Sequence, residues 1–165
     1  MSYMTLRLFK ENFKFSSAHF LIFDQIRAER LHGHNYQVSI DLKVPEPGAA
    51  WVAPGYYIDF HELKRYIRSR LNQWDEYVLL PGKQPEMKFV ENGRTLEVTF
   101  RDRFYAFPKE EVILLPIQNT SVEELSRLIA EDVYKAFHAH GLLGIKVCVE
   151  ETPGQGAVSL VGETF

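Results

Sequence analysis

Three histidines are the residues of this sequence best spaced to do chemistry together. The stretch Leu31-His32-Gly33-His34-Asn35-Tyr36 carries two imidazoles two positions apart, and His19 lies thirteen positions before His32, at the end of Phe15-Ser16-Ser17-Ala18-His19. Residues two apart share one face of an extended chain. Apolar Tyr36, Val38, Ile40, Leu42 and Val44 alternate with polar Asn35, Gln37, Ser39, Asp41 and Lys43, so His32 and His34 fall in phase with the buried face of a strand over 34–44. His19 shares the parity of Phe13 and Phe15. If residues 13–19 run antiparallel to 34–44, three imidazoles converge on the inner side of one hairpin. Three neutral nitrogens with a fourth position free describe a catalytic zinc site, His19, His32 and His34 being its ligands, rather than a closed structural one. A second pair, His138-x-His140, falls in a segment that reads as helix, where residues two apart do not face each other. It is expected to be a cationic helix end.

The elements that must hold these residues follow from periodicity. Residues 5–19 alternate as a strand, with a phase shift between Leu8 and Phe9 that predicts a bulge. Residues 20–31 have no usable period and form a loop that joins His19 to His32 past any metal they hold. Pro45-Glu46-Pro47-Gly48 ends the second strand. A brief strand at Tyr56-Tyr57-Ile58 leads to Asp59, an N-cap with Glu62 three positions on, as in a capping box. Phe60, Leu63, Tyr66, Ile67, Leu71 and Trp74 then give an amphipathic helix over 60–74, with Lys64, Arg65, Arg68 and Arg70 on a solvated outer face. Strand-like runs from Glu86 to Phe107 around Asn92-Gly93 read as an inserted meander with no chemistry of its own. A second helix starts at Thr120 or Ser121 and stops at Gly141, and a hairpin over Ile145–Val149 and Val158–Leu160 closes the chain. The expected fold is α+β: a four-stranded antiparallel sheet with two helices on one face, plus a meander inserted at about 84–116. The open edges of such a sheet need cover, which makes oligomerisation the expectation.

Composition narrows the function. With 165 residues, 45% of them apolar, the chain is expected to be a single domain over 1–165 with a core of its own. The one cysteine, Cys148, excludes an internal disulfide framework and a thiolate-rich zinc site, which fits the cytoplasm. The longest apolar run, Val112–Leu115, is far too short to span a bilayer. A net charge of −3 with signs intermixed gives no footprint for nucleic acid, so a small-molecule partner is expected, with no nucleic acid and no membrane.

Glu151 shares the parity of Ile145, Val147 and Val149 and so points inward by strand phase. It is either solvated just past the end of the sheet or a ligand anchor, since a carboxylate accepts two parallel hydrogen bonds from an amidine-like N–H pair.

Taken with Ile58-Asp59-Phe60-His61-Glu62-Leu63-Lys64, Asn119-Thr120-Ser121-Val122-Glu123-Glu124-Leu125 and Val149-Glu150-Glu151-Thr152, the two histidine segments resemble the 6-pyruvoyltetrahydropterin synthase and 6-carboxytetrahydropterin synthase family. The matching pieces run through most of the chain, leaving out mainly 45–55 and the meander. The resemblance implies a tunnelling fold (T-fold), zinc held by the three histidines, a pterin ring anchored by Glu151, and Thr120 and Ser121 lining the pterin pocket. It also implies a homohexamer of two stacked trimers with active sites shared between chains. Two positions depart from the family pattern. Ala28 stands where the family's catalytic cysteine falls, and Trp74-Asp75-Glu76 stands where the family carries Asp-His. A variant branch places a glutamate just ahead of Leu-His-Gly-His, and Arg27-Ala28-Glu29-Arg30-Leu31-His32 looks like that arrangement. For that branch the implied activity is C1′–C2′ cleavage of 7,8-dihydroneopterin triphosphate to 6-hydroxymethyl-7,8-dihydropterin, feeding folate-type cofactors. Glu29 would then exchange the reacting proton, with Asp75 or Glu76 as the second group. The alternatives are 6-pyruvoyl- or 6-carboxytetrahydropterin synthase activity run by carboxylates, and a zinc- or pterin-binding protein without catalysis.

Overall fold

The alternation that begins at the His-x-His pair forms β3 (His32–Pro45), a 14-residue strand around which the main sheet is built. Val38, Ile40, Leu42 and Val44 are fully buried on it, which accounts for its length. A computed structural model of the chain describes residues 2–48, 51 and 53–165. β1 (Tyr3–Leu8) and β2 (Lys14–His19) pair antiparallel along one edge of β3. From Leu8 to Lys14 is six steps, whereas their partners Ile40 and Gln37 are three apart. The surplus is the bulge announced by the phase shift at Phe9. Gln37 fastens it, donating from Nε2 to the carbonyls of Lys10 at 3.0 Å and Phe13 at 2.9 Å.

β9 (Gly144–Thr152) pairs antiparallel with the other edge of β3, and β10 (Gln155–Gly162) pairs with β9. This is the expected four-stranded antiparallel unit, with β1 and β2 as one interrupted strand. Two further strands extend it. β4 (Tyr77–Pro81) runs parallel to β2, and β8 (Val112–Leu115) runs parallel to β4, so the sheet has seven strands among the described residues. Both are short apolar runs without alternation, the pattern of buried parallel strands. β8 therefore joins the main sheet although it lies inside the span expected to be an insertion. The strand expected at Tyr56-Tyr57-Ile58 is reduced to one bridge between Ala53 and Tyr56, because Tyr57 and Ile58 turn into the core instead.

α1 (Phe60–Asn72) and α2 (Val122–Phe137) cover one face of the sheet, presenting Leu63, Ile67 and Leu71, and Leu125, Ile129 and Val133, to the buried sides of β2, β3 and β9. Asp59 caps α1 by accepting from the His61 N–H at 2.7 Å, and Ser121 caps α2 through the Glu124 N–H at 3.4 Å. Arg70 leaves the expected solvated face. Its Nε donates to Asp132 of α2 at 2.5 Å and its guanidinium stacks on Trp74, 4.2 Å from the ring centre. His138–His140 form a 3-10 turn beyond α2, exposed and closed by Gly141 at φ +86°.

β5 (Met87–Asn92), β6 (Thr95–Phe100) and β7 (Arg103–Pro108) form a separate antiparallel meander. Its inner face makes a second apolar cluster: Leu96, Val98 and Phe100 close on Phe20 and Leu80, with Ile22, Ala28 and Leu31 against them. Burying a side chain such as Phe20 is worth about 1.5–3 kcal/mol. The meander is thus the floor on which the loop between His19 and His32 lies.

Candidate functional site

His19 ends β2 and His32 begins β3 as its register partner, while His34 lies opposite Ser17. One ring nitrogen from each of the three falls within 4.8 Å of the others. The second nitrogen of two rings is already committed. Nδ1 of His19 donates to the Thr120 carbonyl at 2.7 Å, and Nδ1 of His32 donates to the Arg30 carbonyl at 2.7 Å. A carbonyl only accepts, so in the neutral rings the proton sits on Nδ1 and Nε2 presents a lone pair. Among the described residues the buried Nε2 of His19 has no partner, and Nε2 of His32 lies 2.9 Å from Nε2 of His34. An orphaned buried nitrogen and a lone pair turned toward a third imidazole fit a cation among the three. Burial is the main cause of a lowered pKa for His19; the neighbouring His32 and His34 add to it, against the Thr120 carbonyl, which raises it. The ring is thereby kept in the neutral form that ligates.

Two carboxylates flank the cluster. Glu29 Oε2 stands 3.7 Å from His32 Nε2 and accepts the Leu21 N–H at 3.0 Å, and Glu151 Oε2 stands 3.8 Å from His34 Nε2. Glu151 Oε1 accepts from Gln155 Nε2 at 2.7 Å. Glu151 is half-buried and faces the histidines, as its strand parity required. Asp75 and Glu76 occupy the turn between α1 and β4. Asp75 Oδ1 accepts the Ser16 N–H at 2.7 Å, and the Glu76 N–H donates to the Ser16 carbonyl at 2.7 Å, holding Glu76 at φ +64°. Glu76 lines a cavity of about 350 Å³ together with Ser16, Ala18 and Asn35, whose side chains alternate with those of His19 and His34, and with Ser17, Gly33 and His34 itself. Within one chain, Glu29 and Glu151 are brought to the histidines, and no hydrogen bond joins Asp75 or Glu76 to them among the described residues.

Thr120 is fully buried, its carbonyl on His19 and its hydroxyl donating to the Phe20 carbonyl at 3.1 Å. Ser121 is the half-buried cap of α2. Asn119 matches Ile22 as a strand would, accepting its N–H at 3.0 Å and donating to its carbonyl at 2.8 Å. Periodicity alone also passes over Tyr36. Its ring stands 5.9 Å from His19 and 5.7 Å from His34, centre to centre, and among the described residues its buried hydroxyl has no partner. Burial, and then the charges of Glu151 and Glu29, push its pKa up, so it stays an O–H donor. The available signal was a polar-tipped ring in the buried phase beside two ligand positions.

A seven-stranded T-fold sheet with three histidines on its helix-facing side defines a class, and comparison with known proteins agrees. The model of the 6-pyruvoyl tetrahydropterin synthase family matches residues 8–160, and the chain belongs to that family, among enzymes of pterin synthase and lyase type. A Methanocaldococcus jannaschii protein provisionally named 6-carboxy-5,6,7,8-tetrahydropterin synthase is 29% identical over 147 residues, 87% of each chain. The crystal structure of Plasmodium vivax 6-pyruvoyl tetrahydropterin synthase is 28% identical, with a TM-score of 0.87 over 99% of this chain and 100% of that one. Two further structures of the P. vivax enzyme, equally similar, are catalytic-residue mutants in which a glutamate is replaced by alanine or by cysteine. Among the described residues no helix is long and apolar enough to cross a membrane.

Proposed function

We propose that this chain is a zinc-dependent lyase that cleaves the C1′–C2′ bond of 7,8-dihydroneopterin triphosphate and releases 6-hydroxymethyl-7,8-dihydropterin. The observation that carries the reading is the Glu29 carboxylate 3.7 Å from His32 Nε2, on a loop whose neighbouring Ala28 has no nucleophile to offer. A glutamate as catalytic residue in the P. vivax relative supports it. His19, His32 and His34 would hold the zinc, which when bound supplies Lewis acidity to the side-chain hydroxyls of the substrate. Glu29 takes the proton from the C2′ hydroxyl; the C1′–C2′ bond breaks as the C2′ carbonyl forms, and the electron pair passes to C1′ and the pterin ring. A proton returned to C1′ completes the hydroxymethyl product. Glu151 anchors the pterin by accepting from its 2-amino group and ring N–H, beside Thr120 and Ser121. The second proton carrier is Asp75 or Glu76. Among the described residues neither is hydrogen-bonded to the histidines of its own chain, although Glu76 lines a cavity with His34; they serve a site completed by a neighbouring copy in a homohexamer. The open edges at β8 and β10, where Val158 and Leu160 are each 51% exposed, give such an assembly a physical motive.

Synthase chemistry is the second reading, and the name carried by the M. jannaschii relative favours it. Glu29→Gln tests the first. Zinc and pterin should stay bound while turnover falls by roughly 10²–10⁴, the scale of a removed general acid or base. Undiminished turnover would remove Glu29 from the mechanism.

A further inference from the structure

The carboxylate of Glu29 is carried by a loop with almost no regular structure, a single bridge between Ile22 and Ala28. Something else must fix where the carboxylate stands. Asn119 fixes the start of the loop at Ile22, and its end is fixed from the meander. Arg103, the first residue of β7, donates through Nη1 to the carbonyl of Glu29 and through Nη2 to the carbonyl of Ala28 at 3.0 Å. These two carbonyls belong to the peptides on either side of the Glu29 Cα. One planar guanidinium bonded to both sets the relative orientation of these two peptides, and with it the direction in which the Glu29 side chain leaves the backbone. The guanidinium is itself confined, 5.7 Å from the ring centre of Phe20 and 5.9 Å from that of Phe100. Two residues earlier, Arg101 donates to the Asp24 carbonyl at 2.6 Å and is held by Glu86 through bonds of 2.7 and 2.9 Å.

We propose that Arg103 is a positioning residue of the reaction: it holds the peptides on either side of Glu29 so that the Glu29 carboxylate stands at the histidine cluster, which makes the inserted meander part of the catalytic apparatus. The proposal rests on the reading of Glu29 given above. Arg103 acts only through Glu29, so its loss should lower kcat and leave KM and zinc content alone. Lysine in its place has one compact ammonium, lacks the fork that bridges two carbonyls, and should restore little.

The test combines amide hydrogen exchange with a double-mutant cycle on the full-length, zinc-loaded protein. In Arg103→Ala, exchange at the Leu21 and Glu29 amides should accelerate, because the bonds Leu21 N–H to Glu29 Oε2 and Glu29 N–H to Leu21 O depend on the held loop. Its kcat should fall roughly 10–10²-fold, the scale of a small misplacement of a reacting group, with KM within about twofold. Arg103→Lys, whose shorter reach disturbs packing less, should show the same direction with one zinc per chain retained. Added to Glu29→Gln, Arg103→Ala should cost nothing further. Unchanged exchange in both variants overturns the positioning role whatever Glu29 does, and so does an equal loss of kcat in the Glu29→Gln background. Accelerated exchange beside full turnover in Glu29→Gln overturns the role of Glu29 and the catalytic half of this proposal with it.

Discussion

The carbonyl of Thr120 accepts the Nδ1–H of His19 across 2.7 Å, 101 residues along the chain, and Nε2 of the same ring is left buried with nothing to bond among the described residues. That relationship selects the tautomer a metal needs. Removing a ligand should therefore remove the metal: His34→Ala should lose most bound zinc, whereas His138→Ala, in the exposed turn after α2, should keep it. Zinc per chain, by metal analysis after gel filtration, checks both. Equal zinc in wild type and His34→Ala contradicts the ligand set.

Because burial lowers the pKa of His19 from the ordinary 6.5, the unfolded chain takes up a proton there before the folded one does. The unfolded state thus holds more protons in that window, so stability rises with pH across it and falls on acidification. The contribution of His19 is fully present above about 6.5 and is lost as pH drops toward its depressed folded value. Melting of the metal-free protein at several pH values should show this loss in wild type and a smaller one in His19→Gln. An identical slope in both would contradict it.

Much of this centre is legible in the sequence because it lies in strands. The alternation from Asn35 to Val44 fixes the face of His32 and His34, and the parity of Glu151 with Val147 and Val149 turns its carboxylate toward them. What is not legible passes through backbone atoms or through runs without a period. The Thr120 carbonyl on His19 leaves no mark in residue type, and the same holds for the grip of Arg103 on the carbonyls of Ala28 and Glu29. β4 and β8 are apolar on successive residues, so neither shows a face, and their parallel pairing follows only once β2 is in place. Asp75 and Glu76 look adjacent to the chemistry by motif, yet the turn that carries them is bonded to Ser16, whose side chain leaves the other side of β2.

The hydroxyl of Tyr36 is buried without a partner among the described residues, a state that costs about 1–3 kcal/mol. Tyr36→Phe should therefore leave the metal-free protein as stable as wild type or raise its unfolding free energy by about 1 kcal/mol. Urea denaturation of both proteins after chelation decides it. A loss above about 1 kcal/mol would mean that the hydroxyl has a partner.

Glu151→Ala should weaken pterin binding while leaving zinc in place, since truncating one member of a buried charge-assisted pair costs on the order of 3–5 kcal/mol. In calorimetric titration of a dihydropterin this is a loss of roughly 10²–10³-fold or more in Kd. Unchanged affinity would place the anchor elsewhere.

The bond that breaks is tested most directly by product analysis. The zinc-loaded wild-type protein, incubated with 7,8-dihydroneopterin triphosphate and resolved by liquid chromatography with mass detection, should yield 6-hydroxymethyl-7,8-dihydropterin together with a two-carbon aldehyde triphosphate. A 6-pyruvoyl or 6-carboxy tetrahydropterin as the main product, or unconsumed substrate, would contradict the assignment of C1′–C2′ cleavage to this chain.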